Sequence, residues 1–483
     1  MKRPGALLLA ALLLASGALG QTPPPGSEKG AVADVTDLVN SLLGGLLGGG
    51  DVTGDRLQDE VAEAGGLPFR EKVPVAFLGR EELGAYLREL FDAEYPVALA
   101  RADERLLQAF DLLPPDTDLR ALRARVLEEN VAGFYDERPG KRRLYAVSED
   151  RSFSPMNQMI LVHELRHAQQ DQYEGLDGFL ADDVSDFDDR RLAWTSLLEG
   201  DATLVMERFV RLRLGSLGVA EGAAEDTPVS ALGAPGLFDV PGAPPVVRDQ
   251  LVQPYLAGLT FARALWSRGG AGALREAWGR PPQSTEQVLH PAKFFSREKP
   301  RAVAPVVGAP PGARLVSEGV LGEMLLRTLV EDAGEAATEG WGGDGWRLWD
   351  VGGRTALAWR SEWDLAADAG EFHAALRARF ARYGAPASRA GWEVFRGGGG
   401  RAFATRREGE AVDLVSADDG AVFDRMVGGE GGRGTGDGGR TGSPRGFPKR
   451  NGIGTQRNGE ISLGRRSRTA RGIAPLEARR REG

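Results

Sequence analysis

The chain has 483 residues, 42% hydrophobic and 27% charged, an ordinary composition for a water-soluble protein with material for two or three domains. Its formal net charge of -9 argues against a general nucleic-acid binder. It contains no cysteine, which excludes a disulfide framework and leaves His, Asp, Glu and water as the ligands open to a metal. Only four histidines are present, His163, His167, His290 and His373.

Residues 1–20 read as a signal peptide. Lys2 and Arg3 form the positive start, Ala6 to Leu14 the apolar core and Ala18-Leu19-Gly20 the small-x-small cleavage site. The apolar run is short for a bilayer span, and without a cysteine at the cleavage site lipoprotein attachment is excluded. The expected location is a periplasm or the medium, with no transmembrane span in the mature chain. Residues 21–66 read as a flexible leader, since Leu42 to Gly50 is apolar but too glycine-rich for a good helix. A linker, a pro-segment and a surface-adhering patch are the three readings.

The pattern becomes globular at Leu67. Val73 to Leu78 is a strand candidate, and Glu81 to Phe91, Pro96 to Phe110 and Asp118 to Glu129 carry helical periodicity. Val131 to Tyr135 and Arg143 to Val147 flank Pro139-Gly140 as a hairpin, whose edge is a candidate for pairing with an extended peptide. Ser154 to Tyr173 reads as a helix, with Ser154 as N-cap and Pro155 in the first turn. It carries His163-Glu164-Leu165-Arg166-His167. The two histidines, four apart, share one helix face and suit a single metal ion. Glu164 lies about 60° round from His167, where a general base reaches a water on that ion. The plain alternative is a buried helix with two histidines in its core.

Asp182, Asp183, Asp186, Asp188 and Asp189 read as a solvated acidic loop rather than a calcium loop, for want of the regular spacing and closing glutamate. Arg190 to Leu214 reads as a long helix with Glu199 and Asp201 inside an apolar stretch, costly unless satisfied. A catalytic zinc needs a third protein ligand. Asp171 is too distant for that role, about 12 Å along the helix from His163. The segment directly after His167, Ala168 to Tyr173, holds no glycine turn and no third histidine. Glu199 is therefore the candidate, with Asp171 or Asp201 as a carboxylate behind an imidazole.

Pro254-Tyr255 opens a helix through Leu265, with Gly258 allowing close packing, and Ser284 to Gln287 forms a capping box before a short helix bearing His290. His290 and Tyr255 are the candidates for stabilising an oxyanion, each also readable as structural. Residues 301–315 read as a linker. A smaller α/β unit follows, with a helix over Gly319 to Val330 and paired strands Trp346 to Asp350 and Thr355 to Trp359. A helix over Ala366 to Tyr383 carries a structural His373, and strands lie near Trp392 to Phe395 and Ala402 to Arg406. The tryptophans read as core. Residues 427–483 hold 13 Lys+Arg against 5 Asp+Glu, leaving -17 for the rest of the chain. They read as a disordered Gly/Arg-rich tail, either a weak contact for anionic envelope polymers or uninformative.

An HExxH pair followed by a glutamate on a later helix resembles the gluzincins, the thermolysin-like zinc metallopeptidases. The segments VAGFYDERPGKRRLYAV, HELRHAQQDQ, LLEGDATLV and STEQVLHPAKF, with Gly340 to Asp344, look closest to a group of exported bacterial proteins of that kind. The resemblance covers roughly residues 67–425. It implies one zinc ion on His163, His167 and Glu199, with Glu164 catalytic. The gap of 32 residues from His167 to Glu199 is longer than in thermolysin, which removes a thermolysin-like specificity but not the metal assignment. The implied architecture is α+β. A zincin-like, mostly helical catalytic domain spans 67–300, with a small sheet before the HExxH helix, and an α/β subdomain spans 301–426. The implied activity is an exported zinc metallohydrolase, foremost a peptidase on peptide or protein substrates. A zinc hydrolase of a non-peptide amide and a non-enzymatic envelope binding or scaffold protein are the alternatives.

Overall fold

The computed structural model describes residues 54–130, 133–147, 155–176, 185–216, 242–397 and 400–428; residues 1–20, read as a signal peptide, the glycine-rich run at 42–50 and all but the first two residues of the tail read over 427–483 lie outside the described residues, those two ending a helix instead. Packing begins earlier than expected. Gly54–Gly65 is a helix, α1, whose Leu57, Val61 and Ala64 recur along one face and are fully buried. The flexible leader read over 21–66 is therefore corrected for its last dozen residues. Gln58 fastens α1 to the next segment, its amide accepting from the Val73 N–H at 2.8 Å and donating to the Val73 carbonyl at 3.2 Å.

Strand β1 (Val75–Leu78) and helices α2 (Arg80–Glu94), α3 (Val97–Ala109) and α4 (Leu119–Asn130) follow. The expected hairpin is present: β2 (Gly133–Asp136) pairs antiparallel with β3 (Arg143–Val147), and Gly140 takes the positive φ of the turn. β1 joins β3 in parallel, which leaves β2 at the edge of a three-stranded sheet. Against it lies α5 (Pro155–Glu174), the helix of the two histidines. Every residue from Gln158 to Asp171 is buried. A helix buried all round is ordinarily apolar; this one encloses His163, Glu164, Arg166, His167, Gln169 and Gln170.

Two long helices complete its surroundings, α6 (Asp189–Ser216) and α7 (Pro245–Gly279). Pro254, read as a helix start, sits inside α7, which begins with Pro245 in its first turn and kinks at Gly269 and Gly270. Helices α8 (Thr285–Leu289) and α9 (Pro291–Ser296) follow, with the Ser284 side chain accepting from the Gln287 N–H as the capping pattern predicts.

Residues 301–315 are not a free linker. The Arg301 N–H donates to the Gly342 carbonyl at 2.7 Å, and a Cβ at Gly343 or Gly345 would stand 2.4 Å from the Arg301 carbonyl or 2.2 Å from that of Val303. The glycines let this segment lie directly on the strand beside it. The remaining elements are β4 (Arg314–Gly319), α10 (Gly322–Leu329), β5 (Trp341–Val351), β6 (Arg354–Trp363), α11 (Ala366–Phe380), β7 (Ala387–Arg389), β8 (Trp392–Arg396), β9 (Ala402–Glu408), β10 (Ala411–Ala417) and α12 (Gly420–Gly428). Their strands form a seven-stranded antiparallel sheet, ordered β4-β5-β6-β10-β9-β8-β7. β4, β7, β10 and α12 were not anticipated. β10 is buried along its whole length in the middle of the sheet, so it lacks the one-sided alternation that marks a strand. Trp341, Trp346, Trp359 and Trp363 share a core with Phe110, Phe372 and Leu376, while Trp349 and Val415 on the sheet pack with Val422 and Phe423 of α12.

The fold is thus α+β. One hydrophobic core runs from Leu57 of α1 through Leu165 of α5 to Leu414 of β10, joining the helices to the large sheet. Among the described residues no helix is long and apolar enough to cross a membrane. Asp344 secures the junction. Its carboxylate accepts from the Leu321 and Gly322 N–H groups at 2.8 Å each, which open α10, and from the indoles of Trp359 at 3.0 Å and Trp341 at 3.1 Å. Replacing it by alanine leaves four buried donors without an acceptor, at ~1–3 kcal/mol for each one left unpaired. Asp344→Ala is expected to lower stability by roughly 3 kcal/mol or more; an unchanged urea midpoint would contradict this role.

Candidate metal centre

Three elements build the centre. α5 carries His163, Glu164 and His167, α6 carries Glu199 and α7 carries Tyr255. The two long helices meet backbone to backbone: a Cβ on Gly200 would stand 2.0 Å from the Gly258 carbonyl, and one on Gly258 would stand 2.1 Å from that of Ser196. Only glycine at both positions allows this approach. It brings Glu199, one residue before Gly200, and Tyr255, three residues before Gly258, onto the face of α5 that holds the histidines.

The ligand atoms of His163, His167 and Glu199 converge in a fully buried cluster. His163 Nε2 is 3.0 Å from His167 Nε2 and 3.0 Å from Glu199 Oε2, and His167 Nε2 is 3.5 Å from the same oxygen. Donor atoms about 2.0 Å from a tetrahedral zinc stand roughly 3.3 Å from one another, so these separations fit such an ion. The donor set fits as well, two imidazoles and one carboxylate being an ordinary catalytic zinc set. Buried oxygens without a hydrogen-bond partner, Glu199 Oε1 and Glu164 Oε1, adjoin the cluster. Charge is unevenly shared. Burial raises the Glu199 carboxyl, but the His167 charge and the hydrogen bonds from both imidazoles outweigh it and pull it down to about 2. Burial lowers His163, while for His167 the Glu199 charge and its hydrogen bond overcome burial and raise the ring to about 9. A divalent cation held by the same atoms would displace the proton that His167 carries.

Glu164 is beside the three candidate ligands rather than among them. One oxygen accepts the Tyr135 N–H of β2 at 2.9 Å, and the other has no partner. Burial is the main cause that lifts its carboxyl to about 8, with the His167 charge acting against it. The edge of β2 is therefore already engaged at Tyr135, with Glu164, at the point where peptide pairing was expected. Tyr255 stacks on the His163 ring, with centroids 5.9 Å apart, and burial, with the charges of Glu199 and Glu164, holds its hydroxyl well above its ordinary value.

The polar contacts of His290 lead away from this cluster. Its Nε2 lies 3.0 Å from both oxygens of Glu323 on α10, and Glu323 also takes Arg327 at 2.9 Å. The carboxylate expected behind an imidazole is replaced by an amide: His167 Nδ1 lies 2.8 Å from Gln170 Oε1. Asp171 accepts instead from the Tyr135 hydroxyl and the Leu176 N–H, each at 2.9 Å, and Asp201 pairs with Arg166. Gln170 and the Tyr135 N–H were the contributors that sequence reading missed. Helical spacing from His167 pointed to Gln170, one position before Asp171.

The acidic loop is also corrected where it is described. Asp186 binds Arg123 at 2.7 Å, Asp188 accepts the Arg190 N–H at 3.1 Å, and Asp189 accepts the Thr285 N–H at 2.8 Å, all three side chains being buried. Asp182 and Asp183 lie outside the described residues. A second group of carboxylates, Glu286, Glu298 and Asp364, surrounds Lys293, which forms ion pairs with all three. A lysine ammonium there does the work of a cation.

Comparison with known families reaches only the large sheet and the helices among its strands. Residues 312–426 match a family described as Domain of unknown function (DUF8575). No curated protein and no solved structure matches the chain. The match covers less than half of the sequence and does not include α5 or α6.

The Glu323 carboxylate holds the His290 ring above its ordinary value. A histidine raised in the folded state contributes stability that is full below about pH 6.5 and is lost as pH rises through the raised value. In an NMR titration Glu323→Gln is expected to return the His290 midpoint toward 6.5; the same midpoint in both proteins would contradict the pairing.

Proposed function

We propose that this chain is an exported zinc metallohydrolase of the gluzincin kind, foremost a peptidase. The observation that carries the reading is the convergence of His163, His167 and Glu199 in one buried cluster with Glu164 alongside. Held by those three side chains, zinc supplies Lewis acidity that polarises a scissile carbonyl and acidifies a water.

The protein's own groups account for the rest. Glu164 is anchored through one oxygen to β2 and keeps the other free of partners, so it has an acceptor ready for a proton. That oxygen, beside the cluster, is suited to take a proton from the attacking water and return it to the leaving nitrogen. Tyr255 packs over His163, which helps keep that ring in place. Its hydroxyl is the better placed of the two oxyanion candidates, because His290 is bound to Glu323. The zincin-like architecture, the peptide or protein substrate, the export signal and the contact of the tail with anionic polymers belong to the same proposal.

The test separates the general base from the metal. Glu164→Gln is nearly isosteric, so the variant is expected to bind zinc like the unsubstituted chain. It should lose at least about a hundredfold in turnover of casein or a peptide library, the scale of general-base catalysis. Chelator should abolish the activity of the unsubstituted chain. Full activity in Glu164→Gln, or activity indifferent to chelator, would overturn the mechanism.

A further inference from the structure

The geometry points to Gln170 as the residue that fixes which nitrogen of His167 faces the metal, and so sets the zinc affinity of the centre. This rests on the metallohydrolase reading above. A chain of hydrogen bonds runs from His167 to Asp201, and its acceptors fix its direction. The Gln170 side-chain nitrogen lies 2.9 Å from Asp201 Oδ2 and 3.1 Å from the Leu198 carbonyl. Both partners are acceptors: Leu198 offers a carbonyl, and both oxygens of Asp201 already accept from Arg166, Nε to Oδ2 at 2.9 Å and Nη2 to Oδ1 at 3.0 Å. The nitrogen end of the amide therefore belongs on that side, which turns its oxygen toward His167 Nδ1, 2.8 Å away. An amide oxygen only accepts, so Nδ1 must carry the hydrogen. Nε2 is left as the ligand atom, and it is the nitrogen that faces His163 Nε2 and Glu199 Oε2.

His163 has no such device. Its Nδ1 is buried without a hydrogen-bond partner. The two ligands on α5 are thus unequal: His167 is set in advance and His163 is oriented by its neighbours in the cluster. Behind Gln170 the assembly is rigid. The Trp278 indole donates to Asp201 Oδ2 at 3.2 Å, the Arg166 guanidinium lies over the Trp278 ring, and the C-terminal end of α1 closes on it. A Cβ at Gly65 would stand 2.6 Å from Arg166 Nη1. Asp201, two residues after the ligand Glu199, thereby ties the register of α6 to the orientation of a ligand on α5. Gln170 is a positioning residue; it touches neither substrate nor ion.

The experiment measures zinc affinity by chelator competition on the purified chain, beside Gln170→Met and Gln170→Glu. Methionine fills the space without an acceptor and is expected to weaken zinc binding 10–100-fold, about what loss of an imidazole's outer partner costs. Glutamate keeps an acceptor for Nδ1–H but needs one proton of its own to donate to Asp201 in place of the amide, and is expected to bind zinc more tightly than Gln170→Met. Ring-nitrogen NMR of the zinc-loaded unsubstituted chain, which needs no substitution, should show the His167 proton on Nδ1. Gln170→Met binding zinc with unchanged affinity, or a proton on Nε2, would overturn the inference while leaving the metal centre standing. An unsubstituted chain that binds no zinc would overturn the functional reading, and this inference with it.

Discussion

A helix sealed from water on every side cannot carry polar groups unless each is given a partner, and α5 carries six in the space of eight residues. Much of the structure around it answers that constraint. Arg166 is met by Asp201, Gln169 by Arg166 and the Leu67 carbonyl, Gln170 by His167 and Asp201, and Glu164 by the Tyr135 N–H. What remains is a cluster whose members meet chiefly one another, His163, His167 and Glu199, with one oxygen each of Glu199 and Glu164 left over among the described residues.

Tight backbone packing makes the arrangement attainable. Glu199 reaches α5 because Gly200 and Gly258 remove the side chains that would hold α6 and α7 apart. The same device recurs in the large sheet, where Gly343 and Gly345 admit the segment from Arg301 onto β5. In both places glycine fixes an approach rather than loosening the chain.

These facts mark what could be read beforehand. His163, Glu164 and His167 were legible because their relation depends only on helical rise and turn. Glu199 was reached by eliminating rivals, and its neighbour Gly200 carried a signal that could not be valued until Gly258 was seen opposite. The hairpin was legible from its turn. Gln170 was passed over for Asp171 because carboxylates are the commoner partners of ligand imidazoles, whereas Asp171 is engaged by Tyr135 and Leu176. Asp186, Asp188 and Asp189 looked solvated because their partners, among them Arg123, Thr285 and Val320, are far away in sequence. β10 was missed for the same reason as much of the buried polar network: burial on two faces erases the pattern that exposure on one face leaves.

The proposed function stands on His163, His167 and Glu199 holding one zinc ion together. The most direct measurement is the metal content of the purified mature chain beside His163→Ala and Glu199→Ala. The account predicts one zinc ion per chain, lost in both variants while their folded far-UV circular dichroism is retained. Absence of zinc from the unsubstituted chain after reconstitution, or full zinc content in either variant, would contradict it.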